Sequence, residues 1–185
     1  MSIAKTMFLM LVFAAPAHAD SVKGFCERDG KRLTFTDGIA FADARDEDGV
    51  VSTTIYLTAR PLDRAALARC AECAGPLPQN TFGSPRGDLI EAQRSATAAG
   101  WMEIVHTGGE LDITTIVNVM YLADDGVLTG IDGGNGRVAF DVRNETRAAG
   151  KVFGEAHEPP YDETDMTCDI KFDLGIGWPG VRKSR

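Results

Sequence analysis

Asp-Gly pairs at short intervals constrain the fold of this 185-residue chain more than any other feature of its sequence. Such pairs tolerate positive φ and favour the tight turns that join neighbouring antiparallel strands. The chain carries five of them and one Asn-Gly pair, at Asp29-Gly30, Asp37-Gly38, Asp48-Gly49, Asp125-Gly126, Asp132-Gly133 and Asn135-Gly136. The pattern therefore predicts many short strands.

The segments between these turns alternate between apolar and polar residues, as strands with one buried face do. In the clearest segment, CDIKFDLGI, the apolar side chains are Cys168, Ile170, Phe172, Leu174 and Ile176. Further strands are predicted at RVAFDVR, VVSTTIYLT, LDITTIVNVMYL and RAAGKVFGE, the last with a bulge at Gly150. Two short strands, RLTFT and IAFAD, are predicted to be joined at Asp37-Gly38.

Two segments have a helical pattern. PLDRAALARCAEC carries one apolar stripe, formed by Leu62, Ala66, Cys70 and Cys73, and Gly75-Pro76 ends it. GDLIEAQRSATAAG predicts a second helix before Gly100. The chain is therefore predicted to have an α+β fold, mainly antiparallel β, as a sandwich or barrel-like sheet with one or two short helices.

The first 19 residues have the pattern of a secretory signal peptide, with Lys5 before an apolar run and Ala-His-Ala at the end. Residues 20–185 are predicted to form a single globular β-rich domain of 166 residues, periplasmic or secreted, with no later run that could span a membrane. Loss of residues 1–19, which hold one lysine and no acidic residue, changes the net charge from −8 to −9. This charge argues against nucleic acid as a partner.

All four cysteines, Cys26, Cys70, Cys73 and Cys168, lie after the signal peptide, and an exported chain with an even number of cysteines favours disulfides. Two arrangements are open. Cys70 and Cys73 bridge separately to Cys26 and Cys168, or Cys26 bonds Cys168 while Cys70 and Cys73 close a small local loop.

The Cys70-x-x-Cys73 pair also raises the alternative of a periplasmic thiol–disulfide oxidoreductase. A catalytic pair normally lies at a helix N-terminus, where the dipole stabilises the thiolate. Here the helical pattern precedes the pair, and Arg69 stands where an aromatic residue is usual. Zinc needs about four ligands, and the other two cysteines are single and far apart. We therefore interpret the cysteines as structural staples.

Two acidic segments are the remaining candidates for a metal. Asp43, Asp46, Glu47 and Asp48 lie within six residues, and oxygen-rich loops of this kind can bind calcium. The EF-hand order is absent, so we interpret the segment as a solvated hairpin turn and expect no cofactor. The same interpretation applies to Asp162, Glu163 and Asp165.

Catalytic motifs are absent from the sequence. His106 is predicted near a strand end and His157 in a loop, and no Gly-x-Ser-x-Gly, His-Glu-x-x-His or phosphate-binding glycine motif accompanies them. No catalytic residue is therefore assigned. A small hydrolase that uses a carboxylate pair is a second alternative, because such pairs leave no local signature.

The segments TTIYLTARPLDRAAL, RAAGKVFGE and CDIKFDLGI together resemble a loose pattern in uncharacterised secreted bacterial proteins. In that pattern a strand ending in Leu-Thr-x-x-Pro precedes a short helix, and a Gly-Lys-Val strand precedes a final Asp-x-x-Phe-Asp strand. The resemblance implies a β-rich fold and export, and it implies no activity.

These observations predict a non-catalytic, disulfide-stapled exported domain of the binding or inhibitor/immunity type. Its acidic charge favours a basic partner, either a protein or an envelope component, through faster encounter.

Overall fold

Ten strands and two short α-helices make up the part of the chain that the computed structural model describes, which is residues 20–28, 30–45, 51–74, 85–95, 100–107, 115–122, 128–131, 136–154 and 167–179. The strands are β1 Ser21–Arg28, β2 Lys31–Phe35, β3 Asp37–Arg45, β4 Val51–Thr58, β5 Trp101–Thr107, β6 Thr115–Leu122, β7 Leu128–Ile131, β8 Gly136–Arg143, β9 Arg147–Gly154 and β10 Thr167–Gly175. The helices are α1 Arg64–Ala68 and α2 Pro85–Ser95, with a 3-10 turn at Glu72–Ala74. No helix in these ranges has the length and apolar character to cross a membrane.

The strands form two five-stranded antiparallel sheets. The sheet that contains the first and last strands, here called the terminal sheet, has the order β2-β1-β10-β9-β8. The other, here called the meander sheet, has the order β3-β4-β5-β6-β7. The two sheets meet where Ile176, just beyond β10, forms a parallel bridge with Ala40 of β3. The predicted mainly antiparallel α+β fold is confirmed.

An apolar core fills the space between the two sheets. It takes alternate residues from strands of both sheets, as a sandwich requires. In β10 the buried residues alternate with exposed ones as the sequence predicts. The fully or largely buried members of this core include Cys26, Phe35, Ala40, Ile55, Leu57, Met102, Ile104, Val152, Ile170, Phe172 and Leu174.

The chain crosses between the sheets at Thr36, so the predicted hairpin at Asp37-Gly38 is wrong. β2 pairs with β1 in the terminal sheet, whereas β3 pairs with β4 in the meander sheet. The Asp37 carboxylate accepts hydrogen bonds from the Gly38 and Leu62 amides and from Arg64, which fixes it as the start of a strand. A glycine at position 38 lets β3 approach β4 closely, because a Cβ there would lie 2.9 Å from the Tyr56 carbonyl oxygen.

The bulge that the sequence predicts at Gly150 lies on the neighbouring strand. The register between β8 and β9 shifts between Phe140 and Val142, while Gly150 pairs directly with Phe140. A Cβ at Gly150 would lie 2.2 Å from the Ala139 carbonyl oxygen, so the glycine lets the bulged strand approach.

A second apolar cluster covers the outer face of the meander sheet, where α1, the 3-10 turn, α2 and Trp178 form what is here called the helical layer. The first helix is shorter than predicted. Asp63 caps it by accepting from the Ala66 amide, and it ends at Ala68. The second helix is confirmed within residues 85–95.

Candidate functional site

The cysteines form two disulfides, Cys26–Cys168 and Cys70–Cys73, and no described cysteine is free. Cys26 and Cys168 stand directly opposite each other on β1 and β10, in the core between the sheets. This is the second of the two arrangements that the sequence left open. The expectation of a disulfide-stabilised chain is therefore confirmed.

The Cys70–Cys73 loop lies beyond α1, because the helix ends before Cys70 rather than in a turn that includes both cysteines. The Cys70 amide donates to Leu67 and the Cys73 amide donates to Cys70, each across three residues. Cys73 is fully buried in the helical layer, and Cys70 packs at its border. Of the two sulfurs, Cys73 is closed to a substrate and only the partly exposed Cys70 could be reached by one.

Arg86 connects the Cys70–Cys73 loop to the meander sheet through hydrogen bonds. It is the second residue of α2 and is 4% exposed. Its Nε donates to the Cys73 carbonyl at 2.9 Å, and one Nη donates to the Ala42 carbonyl of β3 at 3.2 Å. Its guanidinium lies 4.9 Å from the centre of the Phe41 ring and 5.5 Å from that of Trp178. One side chain thus joins α2, the disulfide loop and the meander sheet.

Two acidic side chains lie on the same face of the meander sheet beneath the helical layer. Asp43 of β3 accepts a hydrogen bond from the Thr54 hydroxyl at 2.9 Å, and Glu103 of β5 accepts one from the Tyr56 hydroxyl at 2.6 Å. Tyr56 and Glu103 stand directly opposite each other on β4 and β5. These four residues and Arg86 are here called the Arg86 cluster.

Burial controls the electrostatics of the Arg86 cluster. Burial raises the pKa of Asp43 to about 6, and the negative charge of Glu103 adds to the increase, while the Thr54 hydrogen bond and the Arg86 charge oppose it. Burial likewise lowers the pKa of Arg86, and attraction to Asp43 opposes that change. Asp43 and Arg86 therefore stabilise each other's charged forms against the cost of desolvation.

The structure places the predicted calcium candidate Asp43 inside a strand. Its interpretation as part of a solvated turn is wrong, because Asp43 is buried in β3 and bonded to Thr54. Asp46, Glu47 and Asp48 lie outside the described residues, as do Asp162, Glu163, Asp165 and His157. Within the described ranges no three potential metal ligands come together.

His106 is the penultimate residue of β5, where the sequence predicts a strand-end histidine. Its side chain points to the other face of the meander sheet, is almost fully buried, and lies 5.5 Å from the Phe140 ring. Burial, helped by the positive charge of Arg143, lowers the pKa of His106 to about 4. The imidazole is therefore neutral at physiological pH and is separated from the Arg86 cluster by the sheet.

Four members of the Arg86 cluster, Thr54, Tyr56, Arg86 and Glu103, were not predicted as site residues. For Thr54 and Tyr56 the sequence holds a weak indication of a buried polar site. Because β4 is buried on both faces, its polar residues need hydrogen-bond partners inside the protein. Sequence periodicity does not show which helix covers that face. The Arg86 cluster is closed to solvent, as expected of buried contacts that hold the helical layer on the meander sheet.

In the described residues, the outer face of the terminal sheet lies away from the apolar cluster of the helical layer. Side chains of β1, β2, β9 and β10 point outward there and are exposed, among them Lys23, Arg32, Thr34, Lys151, Asp169 and Lys171. Comparison of the chain with protein-family models, with curated proteins and with solved structures found no match. The candidate surfaces therefore rest on the geometry alone.

Proposed function

We propose that this protein is an exported, non-catalytic binding domain of the inhibitor or immunity type, stapled by its two disulfides. The observation that carries the proposal is the asymmetry of the two sheets. The helical layer packs on the outer face of the meander sheet at β3, β4 and β5, whereas the outer face of the terminal sheet presents exposed charged side chains. A sheet face with exposed charged side chains can steer and orient a macromolecular partner of complementary charge.

The geometry of the buried polar groups supports a non-catalytic role. Asp43 and Glu103 are engaged by Thr54 and Tyr56, and both carboxylates are enclosed by the helical layer. A general acid or base must lie within hydrogen-bond reach of a substrate. In the described arrangement these carboxylates bind to the protein itself.

Export to the periplasm or beyond is part of the same proposal. Two disulfides favour an oxidising compartment, in which such bonds persist. N-terminal sequencing of the protein from the exported fraction is expected to give Asp20 as the first residue. Recovery of the full-length chain from the cytoplasm with reduced cysteines would contradict this part of the proposal.

The binding function is tested by capture under native conditions. A C-terminally tagged protein is cross-linked in the exported fraction, and the captured protein is identified and mixed with the purified domain. An unrelated acidic protein with the same tag is the control. A defined complex of the two purified proteins supports the proposal, whereas a turnover that a single substitution abolishes overturns it.

A second candidate function is a small hydrolase that uses Asp43 and Glu103. The observation that favours it is the buried carboxylate pair, in which Asp43 has a pKa of about 6, as general acids often do. Glu103→Gln and Asp43→Asn are then expected to abolish hydrolysis of chromogenic glycosides. Equal background rates for the parent and both variants would exclude this candidate for those substrates.

A further inference from the structure

Three lysines stand side by side on the outer face of the terminal sheet. Lys23 of β1 is directly opposite Lys171 of β10, and Lys171 is directly opposite Lys151 of β9. All three side chains are exposed. Because neighbouring strands lie about 4.8 Å apart, the lysines form a row about 10 Å long, here called the lysine row.

The fold gains nothing electrostatically from this arrangement. Like charges directly opposite each other on neighbouring strands are destabilising. Lys151 has an acidic neighbour, Asp169, at 3.2 Å, whereas Lys23 and Lys171 have no ion pair within the described part of the chain. Two adjacent cations without a direct ion pair in the described residues, on an acidic protein, point to a role other than stability.

The other acidic groups on β1 and β10 do not neutralise the lysine row. Glu27 is bound by Arg32, and Asp173 is bound by Arg147. Arg32 also lies over the Phe25 ring, 3.8 Å from its centre, and so covers the aromatic surface next to the lysine row. The middle of this face therefore presents positive charge beside the partly exposed rings of Phe25 and Phe153.

We propose that the outer face of the terminal sheet, centred on the lysine row, is the docking surface for an acidic face of a partner protein. This inference rests on the proposed binding function and names the charge of the partner. The partner surface is then acidic, whereas the net charge of the chain predicts a basic partner. At physiological salt, charges beyond about 8 Å are screened, so the field at this face is set by the lysine row together with Asp169 and Asp173, which lie two residues to either side of Lys171 on the same face of β10.

A protein partner is favoured over an anionic membrane for two reasons. Three lysines alone attract anionic lipid with a dissociation constant above about 1 mM, too weakly to hold a chain of net charge −8, whereas a protein surface can add closely packed contacts. The face also measures roughly 24 Å by 26 Å from strand spacing and strand length. That size approaches the roughly 800 Å² that each partner buries in a stable protein interface.

The test uses a decaglutamate peptide as a stand-in for an acidic protein surface. The peptide is titrated into the full exported protein, and the NMR shifts of the backbone amides of the protein are followed. Shift changes are expected around Lys23, Lys151 and Lys171, and they should weaken as salt rises from 20 to 200 mM. The double variant Lys23→Gln/Lys171→Gln is expected to bind about tenfold more weakly, since each exposed charge contact contributes modestly.

The matched control removes two positive charges from the opposite side of the molecule. Arg60 and Arg69 are exposed and flank α1 in the helical layer. Arg60→Gln/Arg69→Gln is expected to bind decaglutamate within twofold of the parent. If both double variants lose the same amount of affinity for decaglutamate, net charge alone explains the binding and the proposal is overturned.

Thermal unfolding separates a binding role from a structural one. The lysine variant is expected to melt at the same temperature as the parent or higher, because like charges are removed. Loss of peptide binding with unimpaired stability supports a docking surface. A lower melting temperature together with equal binding would show that the lysines serve the fold, and the proposal would fail.

Further probes separate failure of this inference from failure of the proposed function. Shift changes around the lysine row that decalysine causes and decaglutamate does not, or binding only to vesicles of one part phosphatidylglycerol to three parts phosphatidylcholine, overturn the acidic-protein inference. If the lysine variant still captures the same cross-linked partner as the parent, the inference fails while the binding function stands. If the parent forms no complex with any captured protein, the binding function fails as well.

Discussion

Replacement of Asp43 by asparagine is expected to make the protein more stable at neutral pH. The pKa of Asp43 rises from its ordinary 3.8 to about 6 in the folded protein, chiefly because the carboxylate is buried. About two pH units at 1.36 kcal/mol each correspond to roughly 3 kcal/mol. Asparagine keeps an oxygen for the Thr54 hydroxyl and carries no charge, so it avoids this cost.

The sign of the pH dependence follows from proton binding. Between pH 3.8 and about 6 the folded protein holds a proton on Asp43 that the unfolded chain has lost, so this group makes the parent less stable as pH rises. The amide of the Asp43→Asn variant does not titrate in this range. The difference in free energy of unfolding between Asp43→Asn and the parent should be small near pH 4 and reach about 3 kcal/mol above pH 7.

Urea unfolding at pH 4, 5, 6 and 7 measures this difference, and thermal melts at pH 7 should show an increase of about 6 to 12 °C for a chain of this length. His106, whose low pKa makes the protein less stable as pH falls, is common to both proteins and cancels in the comparison. Asp141→Asn, at an exposed position of β8, controls for the change in net charge. A variant less stable than its parent at pH 7 would show that attraction to Arg86 outweighs burial and would refute the reasoning.

Two further stability predictions concern the terminal sheet and the disulfides. Replacing Cys26 and Cys168 by alanine is expected to cost about 5 kcal/mol in urea unfolding, and replacing Cys70 and Cys73 about 2 kcal/mol, because the first bond spans 142 residues and the second spans 3. Equal losses would contradict the loop-length argument. Gly24→Ala is expected to cost about 3 kcal/mol or more, since Gly24 has φ +147° and a Cβ would lie 2.1 Å from a carbonyl oxygen of β10. A variant of parental stability would show that β1 can move away from β10.

The two disulfides act on different parts of the architecture. Cys26–Cys168 joins the first strand to the last in the centre of the terminal sheet, so it holds the face that carries the lysine row. Cys70–Cys73 shapes the turn whose carbonyl receives Arg86 and therefore supports the helical layer. Reduction is thus expected to affect the two outer faces of the sandwich separately.

The sequence by itself determined the strand class of the fold and much of its burial. Alternation in CDIKFDLGI predicts a buried face that the structure confirms, because side chains of a strand point alternately to its two sides. The cysteine count in an exported chain predicts disulfides without choosing their pairing. To choose between the pairings one must know that β1 and β10 are neighbouring strands, and no local sequence pattern contains that information.

Tertiary structure decided which sheet each strand joins and which polar groups meet. Asp37-Gly38 has the composition of a hairpin turn, yet contacts with Leu62 and Arg64, more than 20 residues away, make it the start of a strand in the other sheet. Asp43 and Glu103 lie on one face of the meander sheet for the same reason, since the long-range register of β3, β4 and β5 decides which face each side chain joins. The lysine row exists only through cross-strand pairing, because its members lie on strands whose adjacency depends on packing across the whole chain.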